Sequence, residues 1–104
     1  PPDKPTIYIG PERTYTNGHA TINEGARLSL VCEVNGGTPP PRLIWYLGEQ
    51  KLDDTSQREQ TDITVNVLDI PMINRTYATT KLSCRAFNTH LIRPNSTDIL
   101  LNVN

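Results

Sequence analysis

The sequence predicts an all-β fold, a sandwich of two antiparallel sheets built from about seven short strands. Three observations carry this expectation. The apolar runs alternate with a period of two, as half-buried strands do. Nine prolines and six glycines punctuate the chain, and β-branched residues crowd the apolar runs. Turn-forming clusters recur about every dozen residues.

The elements follow in order. Thr6-Ile7-Tyr8-Ile9 reads as a first strand, followed by a polar stretch with Asn17-Gly18. In the next run Leu28, Leu30, Cys32 and Val34 share one face, and Ser29, Val31 and Glu33 the other. Asn35-Gly36-Gly37-Thr38-Pro39-Pro40-Pro41 cannot continue a central strand, and its Asn-Gly pair favours a turn with positive φ. Leu43, Trp45 and Leu47 then point inward, with Arg42, Ile44 and Tyr46 outward. Leu47-Gly48-Glu49-Gln50 looks like a hairpin turn, and Asp53-Asp54-Thr55-Ser56 like an exposed loop. The following run groups Ile63, Val65 and Val67. Next, Leu82, Cys84 and Ala86 face inward while Lys81, Ser83, Arg85 and Phe87 face outward. Ile99, Leu101 and Val103 form the inward face of the last strand.

At 104 residues the chain is one domain. Residues 6–104 are its expected extent, and the opening Pro-Pro-Asp-Lys-Pro (1–5) reads as an interdomain linker from a longer protein. Ten basic and eleven acidic residues are mixed along the chain, so no basic stripe exists to neutralise nucleic-acid phosphates. No run approaches the roughly 18–20 apolar residues that span a bilayer. No Gly-rich phosphate loop, no G-x-S-x-G and no H-E-x-x-H occurs, and Asp53-Asp54 is a solvated loop pair. Neither an enzyme nor a small-molecule substrate or cofactor is expected. His19 and His90 are isolated, in loops, and suggest no metal site.

Cys32 and Cys84 both lie on inward faces, on strands far apart in sequence. By themselves they fit two inert core thiols as well as a bridge. Two sequons, Asn74-Arg75-Thr76 and Asn95-Ser96-Thr97, tilt towards the secretory pathway. Trp45 follows Cys32 by 13 positions on the same parity, and Cys84 follows Trp45 by 39. This Cys…Trp…Cys spacing resembles the immunoglobulin fold, which implies a Cys32–Cys84 disulfide packed against Trp45. The 52 positions between the cysteines leave room for only a short connection, so the resemblance is to the C2 or I type. Leu82 stands where the family's corner tyrosine would be, two before the second cysteine, and fills core volume instead; Tyr77 lies seven before it.

Residues 24–46 and 73–88 further resemble the C2-set domains of the Sidestep family of invertebrate neuronal cell-surface receptors. The shared features are Gly36, Gly37, Pro39 and Pro41 before the tryptophan, and Arg75 nine positions before the cysteine of Leu82-x-Cys84-x-Ala86-x-Asn88. Tyr77 departs from the acidic residue usual two positions after that arginine. Cys-x-Ala-x-Asn also occurs in nectin-like and nephrin-like receptors. The resemblance implies a glycosylated extracellular domain of a membrane-anchored adhesion or axon-guidance receptor that engages immunoglobulin proteins of the Beat family. A passive spacer in such an ectodomain and an intracellular I-type domain of a muscle or cytoskeletal protein are the alternatives. The isolated domain is expected to be a monomer.

The outward positions suggest where a protein partner would dock. Ile44, Tyr46, Phe87 and Leu100 would form a small apolar cluster beside Arg42 and Arg85, the composition of interface hot spots. Ordinary cross-strand cover on a sheet surface is the plainer account. Pro39-Pro40-Pro41 is read as a strand-ending loop rather than a polyproline ligand. Asn88 is assigned to the turn backbone, Arg75 to a nearby carboxylate, and Asn95 to an exposed loop.

Overall fold

The computed structural model describes residues 4–37, 39–60, 62–89 and 93–104. Ten strands are found among them: β1 (Thr6–Ile9), β2 (Thr14–Tyr15), β3 (His19–Ile22), β4 (Leu28–Asn35), β5 (Arg42–Leu47), β6 (Gln50–Asp53), β7 (Gln57–Gln60), β8 (Ile63–Ile70), β9 (Leu82–Phe87) and β10 (Asn95–Val103). A single helical turn, α1 (Thr76–Thr79), lies between β8 and β9. The strands form two five-stranded sheets, ordered β2-β1-β4-β8-β7 and β3-β10-β9-β5-β6. The count exceeds seven because β2, β3, β6 and β7 are short edge or near-edge pieces, of two to four residues each. His19 therefore opens a strand instead of lying in a loop; His90 falls outside the described residues.

Gly and Asn-Gly positions supply the reversals. Gly36 adopts φ +84° and donates its N–H to Asp62 O at 2.7 Å, which ends β4 as Asn35-Gly36 predicts. Gly48 turns β5 into β6 at φ +60°, and a Cβ there would stand 2.8 Å from Thr80 Cγ2. A side chain at that position meets both penalties. At Gly10 the first strand leaves β4 and doubles back as β2, so Tyr8 pairs with Tyr15. The chain then crosses to the other sheet, where β3 runs parallel to β10; every other pairing is antiparallel.

The core sits between the sheets. Leu28, Leu30, Cys32 and Val34 meet Leu43, Trp45, Leu82, Cys84, Ala86, Ile99 and Leu101 there. Cys32 and Cys84 are joined in a disulfide that ties β4 to β9, and Trp45, in register with Cys84, is fully buried. Leu82 lies in the core as expected, and Tyr77 packs half-buried against it.

One strand faces the other way from the sequence reading. In β8 the inward residues are Thr64, Asn66, Leu68 and Ile70, while Val67 is 48% exposed. The register sets Leu68 opposite Leu30 and Ile70 opposite Leu28, so the two large side chains at the end of the strand choose its parity. Because the side-chain period is two, that choice turns Val65 and Val67 outward and carries Thr64 and Asn66 inward. The short window Ile63–Val67 omitted the residues that decide.

Asn66 consequently becomes a polar clamp in the core. Its Nδ2 donates to Leu43 O at 2.9 Å and to Asp53 O at 3.3 Å, while its backbone carbonyl accepts from Trp45 Nε1 at 3.0 Å. These bonds tie β8 to β5 and β6 across the sandwich. Nothing in the alternation of the sequence marks an inward asparagine.

Candidate recognition face

The sheet β3-β10-β9-β5-β6 turns its outer face to solvent, and registers fix what meets there. Arg42 lies opposite Phe87, Ile44 opposite Arg85, and Tyr46 opposite Ser83. The side chains stack in a column. Arg42 lies over the Phe87 ring at 5.9 Å from its centroid, Phe87 and Tyr46 have centroids 6.5 Å apart at 50°, and Arg85 lies 4.0 Å from the Tyr46 centroid. Arg85 is further held by Gly48 O at 3.0 Å and Glu49 Oε2 at 3.1 Å. Alternating cations and aromatic faces attract through the ring quadrupole, by about 0.5–1 kcal/mol per contact when exposed. Arg85 is thereby held by its ring and its hydrogen bonds together, and Arg42 lies beside Phe87.

Two of the six candidate residues do not join the exposed cluster. Ile44 is on the outer face but only 5% exposed, so it underpins the column without offering surface. Leu100 is 45% exposed but pairs with His19 at the far end of β10. Arg85 is in register with Ser96, and at about 3.3 Å per residue Leu100 lies roughly 20 Å from Phe87 along the strands. Alternation placed both correctly on the outer face, but neither depth nor position along a strand follows from parity.

A groove of about 430 Å³ continues the column at one end, lined by Pro39, Pro40, Arg42, Phe87, Asn88 and Thr89. Asn88 Nδ2 donates to Pro39 O at 2.6 Å, so this asparagine ties two loops together across the groove. On the other side of Arg85, Ser83 Oγ donates to Asp98 Oδ1 at 2.6 Å, and Lys81 approaches the same carboxylate at 3.7 Å.

The opposite sheet carries a second apolar feature that parity arguments did not assemble. Tyr15, Tyr8, Val31 and Val67 are successive cross-strand neighbours on its outer face, with the two tyrosine rings edge to face at 6.4 Å. Tyr15 is 65% exposed. Arg13 bridges Glu33 and Glu59 on one side of this row. On the other, Arg27 grips Asp69 with a two-pronged contact of 3.0 and 2.6 Å. The signals were present, in the outward Tyr8 and Val31, but the β1–β2 reversal that brings Tyr15 alongside leaves no periodic trace.

The Arg27 hydrogen bonds hold the Asp69 carboxyl below its usual range, against a smaller opposing effect of burial, and the same contact raises Arg27. Ionised Asp69 therefore adds stability at pH above the ordinary carboxylate value of about 3.9, and loses it as pH falls through the lower folded-state value. An NMR titration is expected to place the Asp69 midpoint below that of a free aspartate, and Arg27→Ala to return it. A midpoint indifferent to the substitution would contradict the assignment.

The sequons differ in setting. Asn74 is exposed next to α1, its Oδ1 accepting from Thr76 N at 2.9 Å. Asn95 lies not in a loop but at the start of β10, half-buried opposite buried Ala86, and the hydroxyl of Thr97 is donated to Pro5 O. Arg75 approaches Glu24 at 3.6 Å, the nearby carboxylate it was expected to meet. Among the described residues no three His, Cys, Asp or Glu side chains stand together as a metal cluster, and no helix is long and apolar enough to cross a membrane.

Comparison with known proteins closes the assignment. The family model described as "Immunoglobulin domain" matches residues 4–88. No curated protein matches the chain. Among solved structures, the full ectodomain (Ig1–Ig3) of mouse nectin-like molecule 4 is similar with a TM-score of 0.75 at 20% identity, over 98% of this chain and 34% of that one. Rst D1–D2 gives 0.74 at 21%, over 100% of this chain and 50% of that one. The titin M3 domain gives 0.58 at 20%, over 97% of each. The chain thus spans about a third and a half of the first two, and at these identities the likeness is one of fold. With its disulfide-linked sandwich, its buried tryptophan and a family match over most of its length, the chain belongs to the immunoglobulin domain family.

Proposed function

We propose that this is an extracellular, non-enzymatic immunoglobulin domain of a cell-surface adhesion or axon-guidance receptor of the Sidestep type. It recognises another immunoglobulin protein, such as a Beat-family ectodomain, through the outer face of β5 and β9. The column Arg42–Phe87–Tyr46–Arg85 is the observation that carries this reading. It joins aromatic and arginine side chains, the residues that dominate interface energetics, and Arg85 is already held within it, which lowers the ordering cost of binding there. The disulfide and the exposed Asn74 sequon support an oxidising, glycosylating compartment.

Surface plasmon resonance against immobilised Beat-family ectodomains tests the face. Tyr46→Ser with Phe87→Ser should weaken binding at least a hundredfold while the thermal midpoint moves by only a few degrees. Undiminished affinity would remove this face from consideration. The exposed Tyr15 and Val67 favour the opposite sheet as a second reading; Tyr15→Ser with Val67→Asp is the matching variant. Titin-like neighbours favour an intracellular structural domain. Peptide mapping of the native protein without reduction separates the two homes, since a Cys32–Cys84 bridge with glycan on Asn74 belongs only to the secreted form.

A further inference from the structure

We propose, building on the recognition face above, that the groove at its end receives a carboxylate from a protein partner, an aspartate or glutamate flanked by apolar residues on an extended segment, and that Arg42 binds it. The unspent guanidinium is the starting observation. Arg13, Arg27, Arg75 and Arg85 each hold a carboxylate of this chain; Arg42 holds none among the described residues. It is exposed and rests on Phe87. A cation–π contact at 5.9 Å uses none of the guanidinium's N–H donors and leaves them available. A planar fork beside an aromatic ring suits two-pronged recognition of a carboxylate.

The walls narrow the choice of ligand. Pro39, Pro40 and Phe87 are apolar, and the Asn88–Pro39 hydrogen bond ties the proline loop to the end of β9. A volume of about 430 Å³ lies at the small end of ligand clefts, roughly 300–1,000 Å³. It admits a short segment with apolar side chains beside the charge. A polyanion such as a sulfated glycan or nucleic acid fits poorly, because the nearest cation along β9, Arg85, already faces Glu49, and polyanion binding needs several free cations.

The test is an NMR titration of the isotope-labelled chain with three probes: acetyl-Pro-Leu-Glu-Leu-Pro-amide, the same peptide with Gln for Glu, and a heparin tetrasaccharide. The Glu peptide should shift the Arg42 Nε–H and the Phe87 and Asn88 amides, and bind about tenfold more tightly than the Gln peptide. Arg42→Gln should erase that difference. Equal binding of the two peptides, shifts confined to the Tyr15–Val67 face, or tighter binding of heparin would each overturn the inference. Ectodomain binding lost in Tyr46→Ser without any Glu preference would overturn the acidic-partner inference alone and leave the recognition face standing. A Glu preference without ectodomain binding would uphold the groove and reject the Beat-type reading.

Discussion

Replacing Cys32 and Cys84 together by alanine is expected to lower unfolding free energy by about 4 kcal/mol. The bridge closes a loop of 52 positions, and in the chain-entropy model a crosslink of that span restricts the unfolded chain by about this amount. Set against a typical total of roughly 5–15 kcal/mol, the variant should be marginal at 37 °C. Two sulfurs also leave the centre of the core, where both cysteines are fully buried beside Trp45, which adds a packing loss to the entropic one. Equilibrium urea unfolding gives the answer. The midpoint should fall, and the slope should rise because the uncrosslinked chain exposes more surface. A loss below about 1 kcal/mol would mean that the sandwich is held by packing alone and that the bridge is incidental to stability.

Asn66→Ala should cost about 3 kcal/mol, more than an average core truncation of so few atoms. The amide removed satisfies the buried Leu43 O and the part-buried Asp53 O; the first carbonyl would be left unpaired in a dry interior at about 1–3 kcal/mol less whatever relaxation recovers, and the second at less than that. Trp45 keeps its acceptor, since that bond goes to the backbone of residue 66. Asn66→Asp discriminates between volume and hydrogen bonding. The buried carboxylate would have no donor to replace the amide, so its folded-state pKa rises above the ordinary value. The penalty would then be absent below about pH 3.9 and grow as pH rises through the folded-state pKa. Thermal melts across pH 3 to 7 measure it. An Asp variant as stable as wild type at neutral pH would show that the clamp contributes nothing.

Both predictions depend on features with unequal visibility in the sequence. The bridge lies on two strands whose alternation is unbroken, Leu28 to Val34 and Leu82 to Ala86, and the cysteine-to-tryptophan spacing identifies its setting. Asn66 lies on β8, where the apolar residues of both parities compete and an asparagine takes an inward place. Parity there is decided by cross-strand pairing of Leu68 with Leu30 and Ile70 with Leu28, an energy of contact between residues 38 and 42 positions apart in sequence. A local window cannot contain it.

The recognition face divides along the same line. That Arg42, Ile44, Tyr46, Arg85, Phe87 and Leu100 point away from the core follows from alternation alone, because a strand's side chains must take opposite faces. Which of them meet was decided by register: Arg42 against Phe87 and Tyr46 against Ser83 gather the rings into one column, while Leu100, aligned with His19, stands at the other end. Composition and period therefore determined the all-β class, the inward cysteines and tryptophan, and the polarity of most strands. Only the folded chain decided the facing of β8, the β1–β2 reversal that brings Tyr15 beside Tyr8, and the burial of Ile44. Each of these is settled by contacts between distant segments, and their free energy outweighs the local preferences written along the chain.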